Sequence, residues 1–256
     1  MKRLLEGSDL DDEIALPGGN VGGAVRVGDT VRRSTGPWTP AVHGLLNYLA
    51  DAGLTGIPRV LGYDDRGREI LDYLPGTSYG EDVPDDVLAD AMRWLAGYHR
   101  VVASYRPGGV IVWRTSRGEL AADQIICMHD YGWYNWIGTE AGFSGVIDWD
   151  MSGPGVPLDD IAFTAWNTAP LALPGDPSYQ AARLRLMASA YGDTFTPLQI
   201  LEGAPIRAQR SARVIRAGQE AGDAGMLNLA KVGEPERTEH RLKDLRRRIP
   251  EIAAHL

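Results

Sequence analysis

A single cysteine, Cys127, stands in 256 residues, so no intrachain disulfide can form and a reducing, cytoplasmic setting is the simple expectation. No apolar run is long enough to span a bilayer, and the opening MKRLLEGSDLDDE is too acidic and too poor in apolar residues for a signal peptide; no membrane partner is expected. Basic residues are also in short supply. The 26 Lys and Arg against 34 Asp and Glu leave a formal charge of −8, which argues against a nucleic-acid partner, since that role calls for a basic face. The acidic excess fits a cationic small molecule, although solubility is the commoner reason for such a balance. No internal repeat or low-complexity segment breaks the chain. What is present, 44% hydrophobic and 23% charged residues, is a globular composition. The chain is long enough for one large domain or for two lobes sharing a cleft.

The organising stretch runs from Ile125 to Asp150. It reads as a short apolar strand entering a turn that holds Asp130, then Asn135, then a hairpin through Gly138 to Gly142, and a second strand from Phe143 to Ile147 that delivers Asp148. Such a hairpin gathers Asp130, Asn135 and Asp148 at one end. Two carboxylates and a carboxamide suit a hard cation with oxygen ligands. Magnesium takes one or two protein carboxylates and completes its shell with waters and substrate phosphates, which leaves the remaining acid to take a proton from a hydroxyl.

Upstream, Leu16 to Val27 is glycine-rich. Gly18, Gly19, Asn20, Val21, Gly22 and Gly23 form a turn whose amides can close over phosphates without side-chain obstruction; an ordinary loop before a hairpin fits the pattern equally well. A turn at Gly28 and Asp29 leads into Thr30 to Arg32, where the two-residue period puts Val31 and Arg33 on one face and Arg32 on the other. A helix is expected from Pro40 with Thr39 as its cap, and Val42, Leu45, Leu46, Tyr48 and Leu49 form its apolar side. His43, on its first turn, reads as a surface or packing residue. Strands follow at Ile57 to Leu61 and Glu69 to Tyr73, with Pro75 and Gly76 marking a boundary. A long helix spans about Asp85 to Ser104, with His99 as a satisfied core histidine, and Val110 to Leu120 carries no clear pattern.

Beyond Asp148, the run Gly153 to Pro157 is a rigid turn, and Leu158, Asp159 and Asp160 open a helix. The tail reads as helices at about Pro177 to Tyr191, Pro197 to Gln219 and Gly222 to His255, with a break at Gly233 to Pro235. Arg207, Arg210, Arg213 and Arg216 make one basic stripe, best read as a solvated face. Tyr131, Trp133, Tyr134 and Trp136 crowd the central loop, more as packing than as recognition.

Asp130 and Asn135, followed by a strand ending Ile-Asp-Trp-Asp, supply a base and two metal ligands in the order of a kinase catalytic loop. On these residues the chain resembles the aminoglycoside phosphotransferase family, the protein-kinase-like small-molecule kinases. The resemblance is greatest to actinobacterial-type members, which carry a Gly-Pro-Trp-Thr-Pro segment before the first helix. It covers nearly the whole chain, good in layout and moderate in motif. It implies an α+β, bilobal fold with a small antiparallel-sheet N-lobe (1–74) and a larger, mostly helical C-lobe (75–256). It also implies ATP and Mg2+ as cofactors and transfer of the γ-phosphoryl to a hydroxyl of a small molecule. In that scheme Asp130 is the base, and Asn135 and Asp148 hold the metal. Val31, Arg33 and the loop Gly18 to Gly23 surround the nucleotide, Asp72, Tyr73 and Leu74 meet the base, and Asp160 orders the loop. Glu220 and Asp223 are candidates for an amine-bearing acceptor. Three departures stand out: Met128 replaces the His two residues before Asp130, with His129 adjacent; Arg33 replaces the strand Lys; and the first helix lacks its Glu. They keep open an alternative, a catalytically impaired nucleotide- or ligand-binding relative.

Overall fold

A computed structural model describes residues 13–16 and 23–256. The glycine-rich residues Gly18, Gly19, Asn20, Val21 and Gly22 lie outside that range, and Gly23 is exposed at its edge. The architecture is α+β. An antiparallel five-stranded sheet opens the chain in the order β1-β2-β3-β5-β4, built from β1 (Ile14–Ala15), β2 (Val25–Val27), β3 (Thr30–Arg33), β4 (Val60–Tyr63) and β5 (Glu69–Asp72). The β2–β3 hairpin turns at Gly28, whose φ of 57° is available to glycine at little cost.

Helix α1 (Thr39–Asp51) covers this sheet with Val42, Leu45, Leu46 and Leu49 buried, as its period requires. Thr39 is not its cap. The Thr39 hydroxyl instead accepts from the Gly36 N–H at 2.9 Å, and Trp38 takes the cap position.

Helix α2 (Asp85–Val102) runs through the core, with Leu88, Ala91, Met92, Leu95 and Tyr98 fully buried; each large apolar side chain removed from water contributes roughly 1.5–3 kcal/mol. The unassigned stretch forms a small hairpin, β7 (Ile111–Val112) with β8 (Arg117–Gly118). Helices α3 (Pro157–Thr168), α4 (Pro177–Tyr191), α5 (Pro197–Glu220), α6 (Ala224–Ala230) and α7 (Glu236–Ala253) complete the helical part. Thr196 caps α5, exchanging bonds with Gln199, and Asp223 caps α6.

The central stretch departs from the expected pairing. Strand β9 (Ile125–Cys127) does not pair with the strand before Asp148; it pairs with β12 (Gly153–Gly155). The hairpin is β10 (Trp136–Thr139) with β11 (Gly142–Val146), and β6 (Thr77–Ser78) joins β10 on its other edge. The connection across the two halves is tight at Gly145. A Cβ there would sit 2.6 Å from the Gly56 carbonyl oxygen, and that same carbonyl accepts from the Val146 N–H at 2.8 Å. No helix among the described residues is long and apolar enough to cross a membrane.

Candidate active site

The loop between β9 and β10 is shaped by Asp160. At the start of α3, fully buried, its carboxylate accepts from the Met128 N–H at 2.9 Å, the His129 N–H at 2.7 Å and His99 Nε2 at 3.0 Å. Burial pushes this carboxyl up, but the His99 hydrogen bond, the nearby histidines and the Met128 N–H outweigh it and hold the group below the usual aspartate range. His99 is thus the satisfied core histidine that its position suggested, with Tyr191 Oη on its other nitrogen at 2.7 Å.

His129 stands between Met128 and Asp130 in this loop. Its φ is 59°, a region costly for a residue with a Cβ. The backbone is held there from both sides, by Asp160 on the N–H and by Arg207 on the C=O. The His129 side chain is buried against β12, its Nε2 at 3.2 Å from the Pro154 carbonyl.

Asp130 follows, half-buried. Tyr134 Oη donates to its Oδ1 at 2.5 Å and Asn135 Nδ2 to its Oδ2 at 3.0 Å. Burial pushes the Asp130 carboxyl up to about 7, against the Tyr134 hydrogen bond and with help from the negative charge of Asp148. Asn135 ends a single 3-10 turn (Trp133–Asn135), and its carbonyl accepts from the Ile147 N–H at 2.9 Å, which brings Asp148 alongside. The structure therefore brings Asp130, Asn135 and Asp148 together. With its nitrogen spent on Asp130, Asn135 has its amide oxygen without a partner among the described residues. Asp148, at φ 58°, leaves 43% of its side chain exposed. An amide oxygen and a carboxylate are the kinds of donor that a hard cation takes.

Arg33 lies on the face expected for it and is enclosed by carboxylates. Its Nε is 2.9 Å from Glu69 Oε1, and its Nη2 is 2.5 Å from Asp150 Oδ2 and 3.4 Å from Asp148 Oδ1. The acids hold the guanidinium pKa above its usual value despite burial. Arg32, on the other face, is buried and donates to Thr30 Oγ1. Glu69 on β5 faces Arg33 in the strand register, and His43 Nε2 on α1 closes on Glu69 Oε2 at 2.7 Å. His43 is therefore buried in a polar chain rather than on the surface. Val31, paired with Leu71, is only partly buried.

Sequence reasoning missed several neighbours. Asp150 sits between Arg33 and Arg114, with Arg114 Nη1 at 3.7 Å. Arg114 lies over the Trp38 ring at 4.5 Å and grips Asp223 with Nη2 at 2.9 and 3.0 Å. Asp223, spent on Arg114 and on capping α6, is not open to an amine-bearing acceptor; Glu220 is exposed. Arg207 is also no surface residue: it is 6% exposed and stacks over Phe163 at 4.9 Å. The four arginines do not form one stripe, because each three-residue step falls about 60° short of a full helical turn and three steps put Arg216 on the side opposite Arg207. Arg210 pairs with Asp159, and Arg216 with Glu236 and Glu239.

At the strand end expected to meet a base, the Asp72 N–H donates to the Arg59 carbonyl at 3.0 Å and the Tyr73 N–H to the Asp29 carbonyl at 2.9 Å. Only the Leu74 amide of the three has no partner among the described residues. Tyr131 and Trp136 are fully buried, each ring packed in the core, whereas Tyr134 is 36% exposed at the rim.

Compared with known proteins, the chain is 30% identical over 197 residues, 72% of its length, to the trifolitoxin immunity protein of Rhizobium leguminosarum bv. trifolii, of which it covers 75%. No family model matches. Among solved structures it is similar to an amicoumacin kinase in complex with AMP-PNP and Ca2+ (TM-score 0.64, 11% identity, 94% of this chain and 89% of that one). It is also similar to the GDP complex of an aminoglycoside 2'-phosphotransferase (TM-score 0.57, 15% identity, 91% and 93%). A third is a choline/ethanolamine kinase family protein from Mesorhizobium loti (TM-score 0.51, 15% identity, 93% of each). The shared feature is the fold: an antiparallel sheet followed by a helical part, as in the protein-kinase-like small-molecule kinases.

Proposed function

This chain belongs to the family of the trifolitoxin immunity protein, and from that premise we propose that it is a phosphotransferase that moves the γ-phosphoryl of ATP to a hydroxyl of a small molecule, its acceptor being a toxic compound that the transfer disarms. The observation that carries this reading is the close grouping of Asp130, Asn135 and Asp148 on one loop and hairpin, with Asn135 donating to Asp130 at 3.0 Å. In this reading residues 1–74 form the nucleotide lobe and 75–256 the helical lobe with the acceptor site.

Asp130 accepts the proton of the acceptor hydroxyl; a carboxylate with its pKa near 7 is well matched to that task. Asn135, through its amide oxygen, and Asp148 are the groups that would hold Mg2+. ATP with Mg2+ supplies the phosphoryl group and neutralises its charge. Arg33 is kept aimed at the same place by Glu69, itself backed by His43, and carries the positive charge toward the phosphates. Gly18 to Gly23 are the residues that would close over them, Val31 would lie against the nucleotide, and the strand end from Asp72 to Leu74 would meet the base, with the Leu74 amide as its free donor. Asp160 and Arg207 fix the loop from beneath. Rate in such a site comes from positioning and charge stabilisation.

The test is Asp130→Ala, which should abolish turnover against a hydroxyl-bearing compound library while ATP and magnesium still raise the melting temperature. Turnover equal to that of the unaltered protein would remove Asp130 from the mechanism. Nucleotide binding without turnover by any variant would favour the alternative, a binding protein, to which the enclosure of Arg33 by three carboxylates lends support.

A further inference from the structure

The proposed base is already hydrogen-bonded by a residue of its own loop. Both Asp130 oxygens have internal donors, Asn135 on Oδ2 and the Tyr134 phenol on Oδ1. The ring reaches back over the loop only because residue 132 is glycine: a Cβ on Gly132 would lie 2.7 Å from two Tyr134 ring carbons. Trp133 packs edge-on against the same ring, centroids 5.2 Å apart. Tyr134 as a whole is 36% exposed. Its bond to Asp130 is the Tyr134 side chain's one hydrogen bond among the described residues, so for the ring to leave, only that hydrogen bond and its packing against Trp133 have to be given up.

We propose that Tyr134 is a resident stand-in for the acceptor: its phenolic O–H takes the place on Asp130 Oδ1 that an acceptor hydroxyl needs, keeps water off that carboxylate while no acceptor is bound, and is displaced when one arrives. This rests on the reading of Asp130 as the base. The reaction it suppresses is hydrolysis, in which a water oxygen bonds to the terminal phosphorus, its proton passes to Asp130, and the bond from that phosphorus to the bridging oxygen breaks to release nucleoside diphosphate. A phenol serves better than an aliphatic hydroxyl here, because its flat ring also covers the approach to the carboxylate, and its O–H donates strongly to an anion.

The experiment compares the unaltered full-length protein with Tyr134→Phe and Tyr134→Ala, two substitutions at a partly exposed position. Carboxyl footprinting with a carbodiimide and glycine ethyl ester, read by mass spectrometry without nucleotide, should show Asp130 labelled several-fold faster in both variants, with Asp244 unchanged as an internal control. Phosphate release from ATP and MgCl2 with no acceptor should rise about tenfold in Tyr134→Phe, the weight of one hydrogen bond, and fall to the Asp130→Asn level when the two substitutions are combined. Unchanged Asp130 labelling would overturn the proposal. So would unchanged phosphate release in a variant whose melting temperature still responds to ATP, or phosphate recovered on Tyr134 itself, which would make that residue an acceptor. Failure of any form to respond to ATP and magnesium would overturn the phosphotransferase reading, and is seen separately from the labelling.

Discussion

Asp160→Asn isolates the interaction that holds the central loop. The substitution keeps size and shape but replaces one acceptor oxygen with a donor. If the amide oxygen stays at the Oδ2 position it retains Met128 and His99, and its NH2 then confronts the His129 N–H; turned the other way, it confronts the Met128 N–H. Either way one buried backbone N–H loses its acceptor, and the remaining bonds lose the benefit of charge. A hydrogen bond to a charged group contributes roughly 1.5–3 kcal/mol, and an orphaned buried donor costs roughly 1–3 kcal/mol. The opposing term is relief from burying a charge, but the depressed Asp160 pKa shows that its donors outweigh burial. A loss of about 3 kcal/mol follows, a large part of a stability of roughly 5–15 kcal/mol.

Urea unfolding followed by tryptophan fluorescence at pH 7 measures it as a fall in midpoint at constant slope. A carboxyl with a depressed folded pKa stabilises above its unfolded value and loses that contribution as pH falls through the folded one. The gap between the two proteins should therefore shrink as the pH drops below about 4. A loss under about 1 kcal/mol at pH 7, or a gap that does not narrow in acid, would refute the reasoning.

Glu69 lies buried between Arg33 and His43, so Glu69→Gln should cost about 3 kcal/mol in thermal or urea unfolding, the range for breaking a buried ion pair, and should raise the KM for ATP. Because burial lifts Asp130 to about 7, kcat/KM for phosphoryl transfer should fall about tenfold per pH unit below that value and level off above it, the ionised form being the base; a pH–rate profile checks both limbs. Gly145→Ala would press a Cβ to 2.6 Å from the Gly56 carbonyl and should lower stability by roughly 1–3 kcal/mol, read as a shift in melting temperature. Arg207→Met should loosen the loop by removing the donor on the His129 carbonyl; faster amide hydrogen exchange at residues 129–135 is the expected sign.

Much of the fold was legible because local pattern suffices for local structure. The apolar period of α2, the Pro-led starts of α4 and α5 and the Gly28 turn were each written within a few neighbouring residues, and the elements appear close to where the pattern put them. The grouping of Asp130 with Asn135 was legible for the same reason. Pairings at long range were not. Strand β9 and the strand before Asp148 are both short and apolar, and nothing in their sequences says that β9 joins Gly153–Gly155 instead. Arg207 looked like a member of a solvated row, because a three-residue repeat hides its own drift around the helix.

By itself, then, the amino-acid order determined the composition class, the helices and hairpins, and the carboxylates and carboxamide of the central loop, since each depends on neighbours only a turn or two away. Which charges meet was decided by tertiary structure alone. Glu69 reaches Arg33 because β3 and β5 are adjacent in a sheet although α1 and β4 lie between them along the chain, and Arg114 reaches Asp150 at the same sequence separation and Asp223 across a much longer one. A buried charge takes whatever partner packing brings within hydrogen-bond reach, and sequence separation carries no information about that distance.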